Sequence, residues 1–170
     1  MRYISFEGVD GCGKTTFLKK FIETCNGLSI QVVKLSPPEG ITIEQQIQNS
    51  IFNEEVMSER IQGYLLSSVT NLLVIQDRGP LTTCAYNLSL ISEGMGELRT
   101  KIIDHYERIK KPDITFFVDT PLNVCVQRVK KRDGVMEEGY DKKITVLKKN
   151  FEEIISLKRQ CVIRVEEVLL

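Results

Sequence analysis

The sequence predicts an α/β fold in which a five-stranded parallel sheet carries helices on both faces. Short apolar, β-branched segments alternate with helical patterns along the chain, and each segment is almost continuously apolar, as in strands buried on both sides. Right-handed crossovers between such strands place a ligand at their carboxyl ends. The expected strands are Arg2–Phe6, Ile30–Leu35, Leu72–Gln76, Ile114–Val118 and Cys161–Val165.

Between the strands lie segments with apolar residues at helical spacing. In Tyr140–Lys158, Ile144 and Leu147 share one face, and Lys and Glu residues lie opposite. Thr120-Pro121 predicts an N-cap followed by proline at the first position of a helix that ends at Arg132. The other expected helices are Thr15–Thr24, the pair Thr42–Phe52 and Glu55–Ser67, and the pair Leu81–Ser92 and Glu97–Lys110.

The composition limits the classes of function. The 170 residues include 23 Lys and Arg and 23 Asp and Glu, and this zero net charge argues against wholesale binding to nucleic acid or to a membrane. Five separated cysteines form no C-x-x-C pair, which favours reduced thiols in a cytoplasmic protein. No apolar run approaches the length of a membrane span, and the first strand begins too early for a signal peptide. We expect one domain over residues 1–170.

The most informative segment is a glycine-rich loop directly after the first expected strand. Gly8, Gly13, Lys14 and Thr15 satisfy the spacing G-x-x-x-x-G-K-[ST] of a phosphate-binding loop. Glycines leave backbone N–H groups free to wrap a phosphate, and a helix that starts near Gly13 points its positive end at the anion. We therefore expect a P-loop NTPase type of fold that binds a nucleoside triphosphate through Gly8, Val9, Asp10, Gly11, Cys12, Gly13, Lys14, Thr15 and Thr16.

Two further positions extend this chemistry. Lys14 can reach the β- and γ-phosphates, and the Thr15 hydroxyl can ligate Mg²⁺. Asp77-Arg78 directly follows the third strand, where an aspartate can hold Mg²⁺ and a guanidinium can grip a phosphate with two hydrogen bonds. The alternative interpretation of this pair is a surface turn with a local ion pair.

A basic run from Arg128 to Arg132 ends the helix before a hydrophilic, glycine-containing segment. Basic residues complement the negative end of a helix dipole, so a solvated helix end is one interpretation. In a phosphotransferase, the same segment is suited to a short lid over about residues 133–140 that closes over the phosphates and excludes water. The sequence alone leaves both interpretations open.

Taken together, these segments resemble the thymidylate kinases. That family's opening signature F-E-G-x-[DE]-G-x-G-K-T-T is present from Phe6 to Thr16. The segment from Asp77 to Asn87 is similar to its D-R-x-x-x-S-x-x-A-Y-Q element, and Pro112 to Asp119 resembles the strand before its lid. Glu59-Arg60-Ile61-Gln62 is similar to its x-R-x-Q element.

The resemblance implies transfer of the γ-phosphate of ATP, with Mg²⁺, to a deoxynucleoside monophosphate, dTMP, by a protein that is usually a homodimer. Asp10 would accept a hydrogen bond from the sugar 3′-hydroxyl, and Asp77 would lie near the metal with Thr15. Gly11 stands where some members carry a loop arginine, so Lys130, Lys131 and Arg132 of the lid would supply that charge. The catalytic residues would be Lys14, Arg78 and Arg132, and the substrate-binding residues Asp10, Arg60, Arg78, Thr82, Tyr86 and Asn87.

Several positions depart from the family's pattern. Ser36 stands at an arginine position, and Val56 replaces a phenylalanine that stacks on thymine. Thr82 and Asn87 replace Ser and Gln, and the lid lacks D-R-x-E. These changes leave phosphoryl transfer in place. They also leave open a related kinase for another deoxynucleotide or nucleoside, and a catalytically silent nucleotide-binding relative.

Overall fold

The computed structural model of the chain describes residues 2–35, 40, 42–92, 94–134 and 138–166. Five parallel strands form one sheet in the order β2-β3-β1-β4-β5, which confirms the predicted sheet. Each strand lies within about a residue of its expected position. The strands are β1 (Tyr3–Glu7), β2 (Ser29–Lys34), β3 (Leu72–Asp77), β4 (Ile114–Asp119) and β5 (Val162–Glu166).

Helices connect the strands throughout the described part of the chain. They are α1 (Lys14–Thr24), α2 (Ile43–Leu66), α3 (Pro80–Leu90), α4 (Gly96–Arg108), α5 (Leu122–Asp133) and α6 (Tyr140–Ser156). No helix among the described residues is both long and apolar enough to cross a membrane.

One helix differs from the sequence expectation. Residues 43–66 form a single helix of 24 residues instead of the expected pair. The sequence between Phe52 and Glu55 contains neither glycine nor proline, and Glu54 is buried at 1% exposure against α3 and β3. The sequence predicted a break at the polar residues Asn53 and Glu54, but burial of Glu54 in the folded chain keeps this segment helical.

The start of α5 also differs. The N-cap is Pro121 and not Thr120, so the helix begins one residue later than expected. Thr120 instead donates its hydroxyl hydrogen to the carbonyl oxygen of Cys12 at 2.7 Å. The threonine therefore ties the end of β4 to the glycine-rich loop.

Both faces of the sheet are covered, as predicted. On one face, α1 packs over β1, and the Phe6 ring lies 5.2 to 5.4 Å from the rings of Phe17, Phe21 and Phe116. On the other face, the rings of Phe117 and Phe151 lie 5.2 Å apart between β4 and α6. Because β1 is buried along its whole length, the residues that follow it are held in a fixed position.

We expect Phe151→Ala to lower the free energy of unfolding by roughly 3–5 kcal/mol, because Phe151 is fully buried and its loss leaves a cavity. Leu66→Ala serves as the control, since Leu66 is 86% exposed and its truncation should change stability by less than about 0.5 kcal/mol. Urea denaturation measures both values. Equal effects of the two substitutions would contradict the assigned core.

Candidate active site

The glycine-rich loop lies between β1 and α1, at the carboxyl edge of the sheet. Gly11 has φ +79°, and a Cβ there would lie 2.4 Å from the backbone oxygen of Cys125. Gly13 has φ +90° at the N-cap of α1. Only glycine combines these left-handed conformations with so close an approach of α5. The loop therefore reaches the N-terminus of α1 without a side chain at positions 11 and 13, which suits the binding of an anion by backbone N–H groups.

A pocket opens over this loop. Its walls are residues 9–16 of the loop and three arginines, one from the segment after β3 and two from α5: Arg78, Arg128 and Arg132. Loop amides and guanidinium groups around one cavity favour a ligand with several negative charges, such as a triphosphate.

Lys14 and Asp77 form the charged centre beside the pocket. The Lys14 ammonium donates to the Asp77 carboxylate, and both side chains are largely buried. Parallel pairing of β1 with β3 sets Phe6 opposite Asp77 and brings the two together. Since Mg²⁺ takes one or two protein carboxylates plus phosphate oxygens, Asp77 and the exposed Thr15 hydroxyl suit it chemically. Among the described residues, no cluster of three His, Cys, Asp or Glu side chains could hold a metal by itself.

Arg78 occupies an unusual backbone conformation. Its φ is +65°, which costs free energy for a residue other than glycine. Its guanidinium donates to the Asp10 carboxylate and, at 3.2 Å, to the Tyr86 hydroxyl. The strained turn therefore directs a cation back towards the glycine-rich loop.

Buried Glu7 holds that turn. Its carboxylate accepts the Gly79 N–H at 3.0 Å, the Thr82 N–H at 3.2 Å and the Thr82 hydroxyl. Burial raises the pKa of Glu7 to about 7, although these hydrogen bonds act in the opposite direction. Glu7 thus connects the last residue of β1 to the start of α3, one residue beyond Arg78.

A second buried carboxylate lies nearby on α2. Glu54 accepts the Gln76 amide at 3.3 Å and the Thr83 hydroxyl at 2.7 Å, and Gln76 in turn accepts the Tyr3 hydroxyl. Burial, with a smaller contribution from the charge of Glu7, raises the pKa of Glu54 to about 7, although the hydrogen bonds from Thr83 and Gln76 act in the opposite direction. The network joins α2, α3 and the central strands beneath the site.

Comparison with known proteins agrees with this geometry. The family model for thymidylate kinase matches residues 6–168 of the chain. The chain belongs to the thymidylate kinase family. The chain is 28% identical over 153 residues to a thymidylate kinase from Fervidobacterium nodosum, covering 81% of this chain and 77% of that protein. It is 27% identical over 168 residues to a probable thymidylate kinase from Sulfurisphaera tokodaii, covering 94% and 83%.

A solved structure agrees with the fold. Thymidylate kinase from Candida albicans superimposes with a TM-score of 0.70 at 22% identity, over 97% of this chain and 84% of that chain. The likeness supports the shared α/β architecture of the family. The predicted P-loop NTPase fold is therefore confirmed.

Within this thymidylate kinase fold, only some of the predicted substrate-binding residues lie in contact with one another. Asp10, Arg78 and Tyr86 lie together through the contacts given above. Asn87 is buried, and its side-chain Nδ2 has no hydrogen-bond partner within the described residues. The Thr82 hydroxyl is engaged by Glu7. The roles assigned to these residues stay predictions.

Arg60 is not brought to the pocket. Its Nε donates to the Tyr64 hydroxyl at 3.0 Å on the exposed side of α2. Tyr64 packs against the hydrophobic cluster formed by Tyr3, Val33, Ile61, Leu72 and Val74, and neither Arg60 nor Tyr64 is among the residues that line the pocket. Val56 is 42% exposed on the same helix. The expected contact of Arg60 with the base stays a prediction that this arrangement does not support.

The lid is described in part. Arg132 lines the pocket and pairs with neighbouring Asp133 at 2.7 and 2.8 Å, whereas Lys130 and Lys131 are exposed and do not line it. Residues 135–137 of the expected lid and residues 36–39 lie outside the described part of the chain. Of the basic residues that end α5, Arg128 and Arg132 line the pocket, whereas Lys130 and Lys131 face the solvent.

Arg128 is a pocket residue that the sequence analysis did not assign. Its guanidinium approaches the Gly11 carbonyl oxygen at 3.4 Å. The signal was present in the sequence, since Arg128 precedes Arg132 by one helical turn and therefore shares its face of α5.

Stability should fall with rising pH because of Glu54. The folded state holds a proton on Glu54 up to about pH 7, whereas the unfolded carboxyl releases it near pH 4.5. This contribution is complete below pH 4.5 and is lost as pH rises through 7. We expect Glu54→Gln, which keeps a neutral hydrogen-bonding group, to reduce the loss of unfolding free energy between pH 5 and 8 by roughly 1–3 kcal/mol.

Urea denaturation at both pH values checks this expectation. Glu59→Gln is the matched control, because Glu59 lies on the exposed face of the same helix and its substitution should leave the pH slope unchanged. Parallel slopes for wild-type protein and Glu54→Gln would show that Glu54 is ionised in the fold.

Proposed function

We propose that this chain catalyses the transfer of the γ-phosphoryl group of ATP to dTMP, giving ADP and dTDP. Membership of the thymidylate kinase family supports the reaction. The observation that carries the proposal is the convergence of Lys14, Arg78 and the α5 arginines on one pocket at the carboxyl edge of the sheet. These are the groups that phosphoryl transfer needs, which favours an active kinase over a silent relative.

The donor side follows from the loop. Its backbone N–H groups would cradle the phosphates of ATP, and the Lys14 ammonium, beside Asp77, would neutralise charge that develops on the γ-phosphoryl group. Thr15 and Asp77 would hold Mg²⁺, which supplies positive charge to the β- and γ-phosphate oxygens. Arg128 and Arg132 of α5 add two cations to the lining of the pocket.

The acceptor side centres on Arg78. Its guanidinium already lies against Asp10 and Tyr86, so an incoming monophosphate would meet an oriented cation. The Asp10 carboxylate would then accept a hydrogen bond from the sugar 3′-hydroxyl, and the Tyr86 phenol would lie against the sugar. In-line transfer requires only that the two phosphates face each other across this pocket, without a covalent intermediate on the protein.

A coupled assay that detects ADP tests the proposed function. With ATP, Mg²⁺ and a panel of deoxynucleoside monophosphates, we expect the highest kcat/KM for dTMP. Lys14→Ala should lower kcat by at least about 100-fold because Lys14 acts on transition-state charge, and Lys19→Ala, exposed on the same helix, should not. Absence of ADP release with every monophosphate would refute the proposal.

The assembly and location are proposed on separate grounds. We propose a single kinase domain that forms a homodimer in the cytoplasm. All five cysteines are free thiols, which suits a reducing compartment. Phe52 and Val56, one helical turn apart on α2, are 63% and 42% exposed, and association through this face would remove both from water.

Sedimentation equilibrium should give about twice the 19.4 kDa of one chain for wild-type protein. Phe52→Glu should shift the mass towards one chain, because a charge would be buried in the interface. Leu66→Glu, at the exposed end of the same helix, should leave the mass unchanged. A wild-type mass of one chain at all concentrations would contradict the dimer.

A further inference from the structure

Thr120 lies between β4 and α5 and is buried at 1% exposure. Its hydroxyl group donates to the carbonyl oxygen of Cys12 at 2.7 Å, across 108 positions of the sequence. The N-cap of α5 is Pro121, so the hydroxyl group serves the glycine-rich loop and not the helix that follows. A buried side chain outside the loop is therefore bonded to the loop backbone directly before the start of α1.

The position of Thr120 is set by its own neighbours. It directly follows Asp119, the last residue of β4, whose carboxylate is paired with Lys148 and Arg164 at 2.7 and 2.8 Å. From α5, the thiol of the fully buried Cys125 donates to the carbonyl oxygen of Thr120 at 3.7 Å. The strand and the helix thus hold the hydroxyl group in place, and the loop is bonded to a fixed point.

This bond sets the direction of one peptide unit of the loop. The carbonyl group of Cys12 shares a trans peptide unit with the N–H group of Gly13. Because such a unit is planar, its C=O and N–H groups point in opposite directions. The carbonyl oxygen is bonded to a buried threonine, so the Gly13 N–H points away from the interior, and Gly13 is one of the residues that line the pocket.

The preceding peptide unit, between Gly11 and Cys12, is arranged differently. Its N–H group donates to the Val9 carbonyl oxygen at 3.3 Å, within the loop. Its carbonyl oxygen accepts from the pocket-lining Arg128 at 3.4 Å. Since an N–H group attracts a phosphate and a carbonyl oxygen repels it, the direction of each peptide unit determines whether the loop favours the anion.

We propose that Thr120 is a positioning residue, whose hydroxyl group holds the Cys12 carbonyl inside the protein and thereby directs the Gly13 N–H at a phosphate of ATP. This inference rests on the proposed function. Thr120 itself is not one of the residues that line the pocket, so it acts through the loop. Gly13 has φ +90°, and glycine is the residue whose backbone turns most freely. An anchor outside the loop restricts that freedom before the phosphate arrives, as preorganised donors require.

Thr120→Val removes the hydroxyl group and keeps the shape of the side chain, whereas Thr120→Ser keeps the hydroxyl group. Isothermal titration calorimetry measures the affinity of each variant for MgATP and, separately, for dTMP. We expect Thr120→Val to bind MgATP roughly ten-fold more weakly and dTMP as before, because one donor of the loop is no longer held in position. Thr120→Ser should restore the affinity for MgATP to within about two-fold of wild type.

Thr115→Val is the matched control. Thr115 is a fully buried threonine on the same strand, its hydroxyl group lies 3.0 Å from that of Ser5, and neither residue lines the pocket. Its substitution should leave the affinity for MgATP unchanged. Equal weakening in Thr115→Val, equal weakening of both nucleotides in Thr120→Val, or no restoration in Thr120→Ser would each overturn the inference. So would an unchanged affinity of Thr120→Val for MgATP.

Amide NMR spectra of wild-type protein provide a second test, which stands even where Thr120→Val does not fold. On addition of MgATP, the Gly13 amide resonance should shift more than that of Cys12, because the Cys12 N–H is already bonded to Val9. The reverse order would contradict the orientation of the peptide unit. If wild-type protein binds no MgATP at all, the proposed function falls, and the inference falls with it.

Discussion

The phosphate pocket depends on one buried carboxylate, that of Glu7. It ends the fully buried β1 and accepts two backbone N–H groups and one hydroxyl from the segment that opens α3. Those bonds compensate for the left-handed backbone of Arg78, which no local interaction of an arginine would favour. Because Asp77 and Arg78 precede the bonded residues directly, the carboxylate sets the direction of both side chains. In the proposed reaction, the same backbone segment would therefore serve the donor side through Asp77 and the acceptor side through Arg78.

Two ion pairs, Lys14–Asp77 and Arg78–Asp10, balance the positive charge of the site in the free protein. Lys14 is paired with Asp77, and Arg78 with Asp10, so each cation has a compensating charge before any phosphate arrives. Without those carboxylates, cations gathered around one pocket would repel each other and move apart. In the proposed reaction, phosphate oxygens would take the place of carboxylate oxygens around cations whose positions these ion pairs already set. The site is therefore largely oriented in advance, which is the main requirement of phosphoryl transfer.

The sequence predicted the sheet, the loop and the Asp77-Arg78 pair because these rest on local periodicity, glycine spacing and the rule for strand ends. It could not predict contacts that form only in the packed chain. Glu54 forms hydrogen bonds with Gln76 and Thr83, which lie 22 and 29 positions away in the sequence. These distant contacts bury the carboxyl group and keep the polar segment around it within one long helix. The hydrogen bond between Arg60 and Tyr64 is also a contact of the folded chain, and the role of Arg60 stays a prediction.

The glycine at position 11 connects loop geometry with the source of the α5 charge. The backbone of α5 at Cys125 approaches so closely that even a Cβ at Gly11 would meet its carbonyl oxygen at 2.4 Å. An arginine in the loop would push α5 away, and with it the guanidinium groups of Arg128 and Arg132. The close approach of α5 and a charged side chain at position 11 are therefore mutually exclusive. In this chain, glycine at position 11 allows α5 to pack closely against the loop, and Arg128 and Arg132 of α5 supply the positive charge that a loop arginine would otherwise provide.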